Sequence, residues 1–248
     1  MFEATLGKYM AVQLTVIGSS PAWPNPGSAQ SGYLLEHDGR RLLLDCGPGV
    51  LGRLREAGAS DVDAIAITHF HLDHWGDLVP WAWLVAFGPN AGRRTQVWLP
   101  PNGRANLARF ADFWGNPNMF ENAFDLHEYE PNVPFDAAGF AVEARRVRHF
   151  DLKAFGFRVR GPGPGRVLAY SGDSGPSSEL AALARGADLF LCEATLERPA
   201  NEPGLRGHLA PDEAVAAADG PVLLTHRPIE LPSPDGVPVA YDGLSVEI

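Results

Sequence analysis

Three histidines and an aspartate lie within residues 69 to 74: His69, His71, Asp73 and His74. They directly follow the apolar run 64–67, which predicts a buried strand. Imidazole and carboxylate groups bind divalent metals, and this spacing is rarely a chance product of surface histidines. Because alternate side chains of an extended segment share a face, His69 and His71 are expected to point the same way, with Asp73 and His74 beyond a bend. The motif can therefore supply ligands to two adjacent ions.

A site for two ions needs further ligands, and three candidates stand where predicted strands end. His149, Asp173 and His226 each come at, or within two residues of, the end of a β-type apolar run. Loops at strand ends are where α/β folds place their functional groups. His127 is the rival of His149 as the third histidine, whereas His37 belongs to a predicted hairpin turn.

Short β-type runs alternate with helical patterns along the chain, which predicts an α/β fold with two sheets flanked by helices. Strands are predicted at 12–17, 32–36, 41–45, 64–68, 96–99, 124–129, 140–147, 154–160, 166–171, 189–192 and 222–225. Helices are predicted at 50–57, 78–87, 103–114, 177–184 and 211–218. No linker or repeat divides the 248 residues, so we expect a single domain over 1–248, with 1–9 as an N-terminal extension.

Composition narrows the class of protein. The chain has no apolar run long enough to span a membrane and no secretory signal, so a cytoplasmic location is expected. Cys46 and Cys192 lie in apolar strand patterns and are interpreted as reduced core thiols. The formal net charge of −10 disfavours a grip on extended nucleic acid, because such binding depends on Lys and Arg replacing counterions. This negative charge agrees better with a small-molecule substrate.

The order of the candidate ligands resembles that of the metallo-β-lactamase superfamily, and the likeness covers nearly the whole chain. The motif residues are 68–74 (HxHxDH), His149, 171–173 (Ser-Gly-Asp) and 225–226 (Thr-His). The resemblance implies a four-layer αβ/βα sandwich with two mixed β-sheets flanked by helices. It also implies two divalent metal ions, zinc first, with manganese or iron as alternatives. One ion would be held by His69, His71 and His149, and the other by Asp73, His74 and His226, with Asp173 bridging them and Asp45 structural.

A further motif points to one branch of that superfamily. The segment 207–214, GHLAPDEA, resembles the ribonuclease Z-like group, in which a histidine before a helix serves catalysis rather than coordination. His208 would be that histidine, and Glu193 would orient it. The bridging position is not Cys, as in a class B β-lactamase, and the third histidine lacks the PGH-type motif of glyoxalase II or persulfide dioxygenase.

The chain also departs from ribonuclease Z proper. Only residues 150 to 172 separate His149 from Asp173, which leaves no room for the tRNA-gripping arm. The Pro-rich segment 227–241 takes the place of the usual helix after the last histidine. The sequence therefore does not predict which residues would form the contacts of a homodimer. The chain is more similar to the small, arm-less members of the group.

The resemblance implies a metal-dependent hydrolase, and first of all a phosphodiesterase that acts on a small phosphodiester such as a cyclic nucleotide. A hydroxide shared by the metals would attack, Asp73 would ligate and orient this nucleophile, and His208 would protonate the leaving oxygen or pair with phosphoryl oxygens. The alternatives are a tRNA 3′-processing endonuclease, an iron-dependent oxidoreductase of the same fold, and a binding module without catalysis.

Two sets of side chains have simpler interpretations. Lys153, Arg158, Arg160 and Arg166 are expected on a solvent-facing strand surface. The aromatic residues of 75–114 are expected to pack in the core and between helices. Trp75 follows His74 directly, so stacking of a nucleobase on its ring is an additional hypothesis.

Overall fold

The structure is a computed structural model that describes residues 11–89, 92–162, 166–200 and 206–248. The expected extension 1–9 lies outside the described residues. The strands are β1 Gln13–Gly18, β2 Gly32–His37, β3 Arg40–Leu44, β4 Ala64–Ala66, β5 Thr95–Leu99, β6 Phe124–Glu128, β7 Phe135–Ala137, β8 Phe140–His149, β9 Leu152–Arg160, β10 Val167–Tyr170, β11 Leu189–Glu193, β12 Val222–Thr225 and β13 Ser245–Glu247. The helices are α1 Val50–Glu56, α2 Leu72–Trp75, α3 Leu78–Phe87, α4 Gly103–Phe113, α5 Met119–Ala123, α6 Ser178–Ala184 and α7 Pro211–Ala216.

The strands form two mixed sheets. The first has the order β13-β1-β2-β3-β4-β5-β6, with β3 to β6 parallel and the rest antiparallel. The second has the order β12-β11-β10-β9-β8-β7, with β10 to β12 parallel. The predicted hairpin joins β2 and β3 through Asp38 and Gly39, both with positive φ, as a two-residue type I′ turn requires.

Three hydrophobic cores separate four layers. Successive strand residues face opposite sides of a sheet, so Leu43 and Ile65 pack under α1, α3, α4 and α5, while Leu42 and Leu44 face the second sheet. In the second sheet, Phe190 packs in the same way under α6 and α7. The result is helices, sheet, sheet, helices, which confirms the expected αβ/βα sandwich.

The structure corrects several predicted boundaries. The hairpin between β8 and β9 pairs His149 with Leu152, so His149 is the last residue of a strand and does not follow one that ends at Val147. The sequence did not predict α2, α5, β7 or β13, all of which are five residues or shorter. Such short elements are held by tertiary contacts rather than by their own pattern, as when β13 completes the sheet edge beside β1.

Cys46 and Cys192 are free and fully buried, as expected. Within the described residues, no helix has the length and apolar character needed to cross a membrane.

Candidate metal centre

The candidate ligands meet at one edge of the two sheets. Strand β4 leads to His69 and His71, β10 leads to Asp173, and β12 leads to His226. Strand β4 is parallel to β3 and β5, and β10 and β12 are each parallel to β11. The carboxyl ends of such parallel strands open onto a common crevice. Helix α2 turns the chain after His71. The predicted bend is therefore a helical turn, and it carries Asp73 and His74.

The predicted ligands fall into two groups that could hold metal ions, and Glu193, His208 and His226 form another such group beside them. The first, which we name the histidine-rich group, contains His69, His71, His149 and Asp173. The second, which we name the carboxylate-rich group, contains Asp73, His74, Asp173 and His226. Within each group, one ligand atom per residue lies within 4.8 Å of every other. These are the two sets that the resemblance implied.

Asp173 belongs to both groups and turns one carboxylate oxygen toward each. Its Oδ2 lies 3.8 Å from His69 Nε2 and 3.7 Å from His149 Nε2. Its Oδ1 lies 3.2 Å from His74 Nε2 and 3.5 Å from His226 Nε2. A carboxylate placed in this way can bridge two ions. His127, the rival third histidine, stacks on Trp98 and is in neither group.

Outer hydrogen bonds orient the rings. The Nδ1 atoms of His69 and His226 lie 3.0 Å and 2.9 Å from threonine hydroxyls. His149 Nδ1 donates to the Gly207 carbonyl at 2.7 Å, which leaves its Nε2 as the acceptor. His74 Nδ1 lies 2.8 Å from the carboxylate of Asp45. Such partners fix the tautomer and aim the second ring nitrogen at the centre.

Asp45 is fully buried and has a positive φ of 58°. Its carboxylate accepts hydrogen bonds from the Thr68 backbone at 2.8 Å and from the Tyr170 hydroxyl at 2.7 Å, in addition to the His74 ring. The carboxylate thus connects the motif to the second sheet. This geometry agrees with a structural role for Asp45.

Protonation differs across the centre. Burial lowers the pKa of His69, His71 and His149, so these rings are neutral and can offer lone pairs. Burial opposes charge on His74 too, but Asp173 and Asp73 outweigh it and raise the pKa of His74. Burial would raise the pKa of Asp173, yet nearby His226 and His74 hold it well below its usual range. The carboxylates are therefore ionised, and a metal would displace the His74 proton.

Three buried ligand atoms have no hydrogen-bond partner within the described part of the chain: His69 Nε2, His74 Nε2 and Asp173 Oδ1. Leaving buried polar atoms unpaired is costly. All three point into the centre, where cations would satisfy them. Imidazole and carboxylate donors suit zinc, manganese or iron. The residues present thus fit two divalent metal ions.

His208 stands beside both groups. Its ring centroid lies 5.0 Å from that of His149 and 5.9 Å from that of His226. Its Nδ1 lies 2.8 Å from Glu193 Oε1, at the end of β11. Burial disfavours its charged form, but the Glu193 carboxylate overcomes this and raises the pKa of His208 to about 9. Without bound metal, His208 is therefore expected to carry a positive charge at neutral pH.

Thr195 is a functional candidate that the sequence did not single out. Its hydroxyl lies 2.9 Å from His226 Nδ1 and 2.9 Å from Glu193 Oε2. One buried carboxylate thus orients His208 directly and His226 through Thr195. The sequence signal was limited to the position of Thr195 two residues after Glu193.

The aromatic expectations need correction. Trp75 is only 6% exposed and packs against Phe110 and Phe120, so its ring is in the core and cannot stack a substrate. Helix α2 turns Trp75 away from the ligands although it follows His74. Four other aromatic residues that were expected to pack are largely exposed: Trp83, Phe87, Phe113 and Trp114.

The exposed aromatic ring at the centre is instead that of Phe150, which is 41% exposed. Its centroid lies 4.9 Å from that of His149 and 5.7 Å from that of His208. Phe150 has a positive φ of 47°, and a Cβ at Gly207 would clash with its ring. The placement of Phe150 is not predicted from sequence, because it depends on the hairpin turn and a non-glycine residue with a positive φ is uncommon.

Comparison with known proteins agrees with this geometry. The family model described as a Beta-lactamase superfamily domain matches residues 40–221. This chain belongs to the beta-lactamase superfamily. The superfamily consists mostly of metal-dependent hydrolases, and the two ligand groups described above are of the kind that could hold their metals.

Three relatives illustrate the likeness. The chain is 35% identical to an uncharacterized protein of Mycobacterium tuberculosis over 90% of this chain and 83% of the relative. It is 30% identical to a protein of Mycobacterium marinum named ribonuclease Z, over 71% of this chain and 68% of that one. The crystal structure of the metallo-beta-lactamase fold protein YhfI from Bacillus subtilis has a TM-score of 0.81 and 22% identity, and the match covers 96% of this chain and 100% of that one. This last likeness shows the fold alone.

Proposed function

We propose that this protein is a phosphodiesterase that uses two divalent metal ions to hydrolyse a small phosphodiester, such as a cyclic nucleotide. The observation that carries the proposal is the His208–Glu193 pair beside two ligand groups that share Asp173. Shared carboxylate ligation suits a pair of ions that clamp one phosphate. A histidine cation beside them suits the charge that develops on its oxygens.

Each residue has a proposed role. His69, His71 and His149 would hold one ion, Asp73, His74 and His226 would hold the other, and Asp173 would contribute to both. When bound, two divalent ions supply Lewis acidity and lower the pKa of water toward about 7. Burial would raise the pKa of the Asp73 carboxylate, but His74 and His226 hold it below its usual range. The ionised carboxylate can accept a hydrogen bond from the nucleophile and so orient it.

His208 is proposed to act on the leaving group. Its Nδ1 is held by Glu193, so its Nε2 is free to donate to a phosphoryl or leaving oxygen. Protonation of the leaving oxygen lets the phosphorus–oxygen bond break without an alkoxide. Glu193 is a positioning residue, because it acts through the His208 ring.

The proposal is tested by metal analysis of the purified protein together with a substrate panel. The panel contains bis(p-nitrophenyl) phosphate, cyclic nucleotides, a thioester, a lactam and a precursor tRNA. We expect about two ions per chain and turnover of the small phosphodiesters. Turnover of the thioester or the lactam without any phosphodiester would overturn the proposal, and oxygen consumption with bound iron would favour the oxidoreductase alternative.

The His208→Ala variant tests the role of His208. It should keep its metals but lose about a hundredfold or more in turnover, since general acid catalysis contributes about that much. Glu193→Gln should lose less, because the His208 ring remains. If His208→Ala loses metal to the same extent as activity, His208 is a ligand rather than an acid.

A second candidate is tRNA 3′-end processing, which the relative named ribonuclease Z favours. The net charge of −10 and the short segment between His149 and Asp173 argue against it. Cleavage of the precursor tRNA at a rate comparable with that of the small phosphodiesters would establish this second function.

A further inference from the structure

A cleft of about 480 Å³ opens beside the metal centre. One wall is the loop after β5 and the first turns of α4, and the other is the beginning of β9 after the hairpin turn. The size is that of a pocket for a nucleotide-sized ligand. None of the proposed catalytic roles uses this space.

His71 joins the cleft to the metal centre. Its Nδ1 faces the histidine-rich group, 2.9 Å from His149 Nε2, and its ring also lines the cleft. The ring is only partly buried, unlike the other members of both groups. A substrate whose scissile phosphate lies at the centre can therefore extend into the cleft past His71.

Two cations from different elements line the cleft. Arg109 comes from α4 and Lys153 from β9, and both are exposed. Across the described residues, neither forms an ion pair, whereas Arg41, Arg145 and Arg206 each bind a carboxylate. In a chain with a net charge of −10, two cations that line one cleft beside a phosphodiesterase-type centre and form no ion pair within the described residues point to an anionic part of the substrate.

The rest of the lining suits a nucleoside. Phe70 and Leu152 offer apolar surface, and Asn102 and Asn106 offer amide groups that can donate and accept hydrogen bonds. A cyclic mononucleotide would place its one phosphate at the metals and leave both cations without an anion. A substrate with a second phosphate would use them.

We propose that this cleft binds a second phosphate of the substrate, so that the preferred substrate is a phosphodiester with at least one further phosphate group, such as the end of a short oligonucleotide. The inference rests on the proposed phosphodiesterase function and narrows its substrate class. Arg109 would form bidentate hydrogen bonds with the second phosphate, and Lys153 would contribute a point charge.

The test compares the dinucleotides pApA and ApA, which differ by one terminal phosphate, as substrates of the metal-loaded protein. The expected result is a KM for pApA that is lower than the KM for ApA by about fivefold, with similar kcat. Bis(p-nitrophenyl) phosphate, which has no second phosphate, reports the basal activity separately. Equal KM values for the two dinucleotides would overturn the proposal.

Single substitutions show which residues cause the preference for pApA over ApA. Arg109→Ala and Lys153→Ala should each remove most of the advantage of pApA and leave the KM for ApA unchanged. Arg104→Ala is the matched control, because Arg104 is an exposed cation on the same helix that does not line the cleft. An equal loss in Arg104→Ala would show that net charge, and not the cleft, attracts the substrate.

A binding measurement separates this proposal from the proposed function. Equilibrium dialysis of labelled pApA and ApA against metal-depleted protein measures affinity without turnover. Stronger binding of pApA that Arg109→Ala abolishes would support the cleft even if no phosphodiester were hydrolysed. Activity on bis(p-nitrophenyl) phosphate with no preference for pApA in either assay would retain the phosphodiesterase and reject the cleft.

Discussion

The two ligand groups share Asp173 but differ in charge and in access. The histidine-rich group combines three neutral imidazoles with this one carboxylate, and His71 leaves it open to the cleft. The carboxylate-rich group adds Asp73, and all four of its members are buried. Opposite charge close to a divalent ion in a buried site is strongly stabilising. We therefore expect the carboxylate-rich group to hold its ion more tightly, and the histidine-rich group to exchange its ion and meet the substrate.

The largest effect is expected at the residue that both groups share. Asp173→Ala should reduce the bound metal to less than about one ion per chain and lower turnover by about a thousandfold or more, because each group loses a carboxylate. Elemental analysis and phosphodiesterase assays measure the two quantities. Loss of a single ion with the other fully retained would break the view that Asp173 bridges the groups.

The second-largest effect is expected from variants that affect only one of the two ligand groups. His71→Ala should release the ion of the histidine-rich group and retain that of the carboxylate-rich group, whereas His226→Ala should weaken the tighter ion. Titration of each variant with a chelator, followed by elemental analysis, measures both affinities. If the wild-type protein loses its two ions together, the proposed difference in affinity is wrong.

A smaller effect is expected from the outer hydrogen bonds. Thr195→Val removes the hydroxyl between His226 and Glu193, and should weaken metal binding at the carboxylate-rich group by about tenfold. Thr68→Val, the matched change beside His69, should act on the histidine-rich group instead. If the Thr195→Val variant folds with normal stability and its metal affinity is unchanged, this prediction is wrong.

The smallest effect is a pH dependence of stability in metal-depleted protein. Glu193 raises the pKa of His208 to about 9, above the value of about 6.5 in an unfolded chain. The stabilisation is therefore fully present below about pH 6.5 and is lost as the pH rises through about 9. Over that window the wild type should lose about 1 to 3 kcal/mol of unfolding free energy relative to His208→Gln. Urea denaturation at several pH values tests this, and a constant difference would contradict it.

Prediction from sequence worked where local pattern and residue type carry the information. The alternation of β-type runs with helical patterns predicted two sheets flanked by helices. The turn residues Asp38 and Gly39 predicted a hairpin that the structure has. The hypothesis of nucleobase stacking failed at Trp75, because one turn of helix after His71 turns its side chain into the core. It also missed β13, whose pairing partner lies at the opposite end of the chain. Contacts between residues so far apart along the chain leave no periodic pattern in the sequence.

The types and the order of the residues along the chain define which groups are available to the centre. The metal-binding residue types, their order along the chain and the excess of negative charge can all be read without coordinates, because they depend on chemistry and spacing. The roles of these residues as ligands and catalysts stay a prediction that experiment must decide.

The packing of the fold sets how those groups are shared between the two ligand groups. It divides the ligands around the two oxygens of Asp173, and it places Thr195 between His226 and Glu193. It also brings Arg109 and Lys153 to the lining of one cleft. The physical reason is that these relations join strand ends and helices far apart in sequence, and only the packing of the two sheets sets their distances.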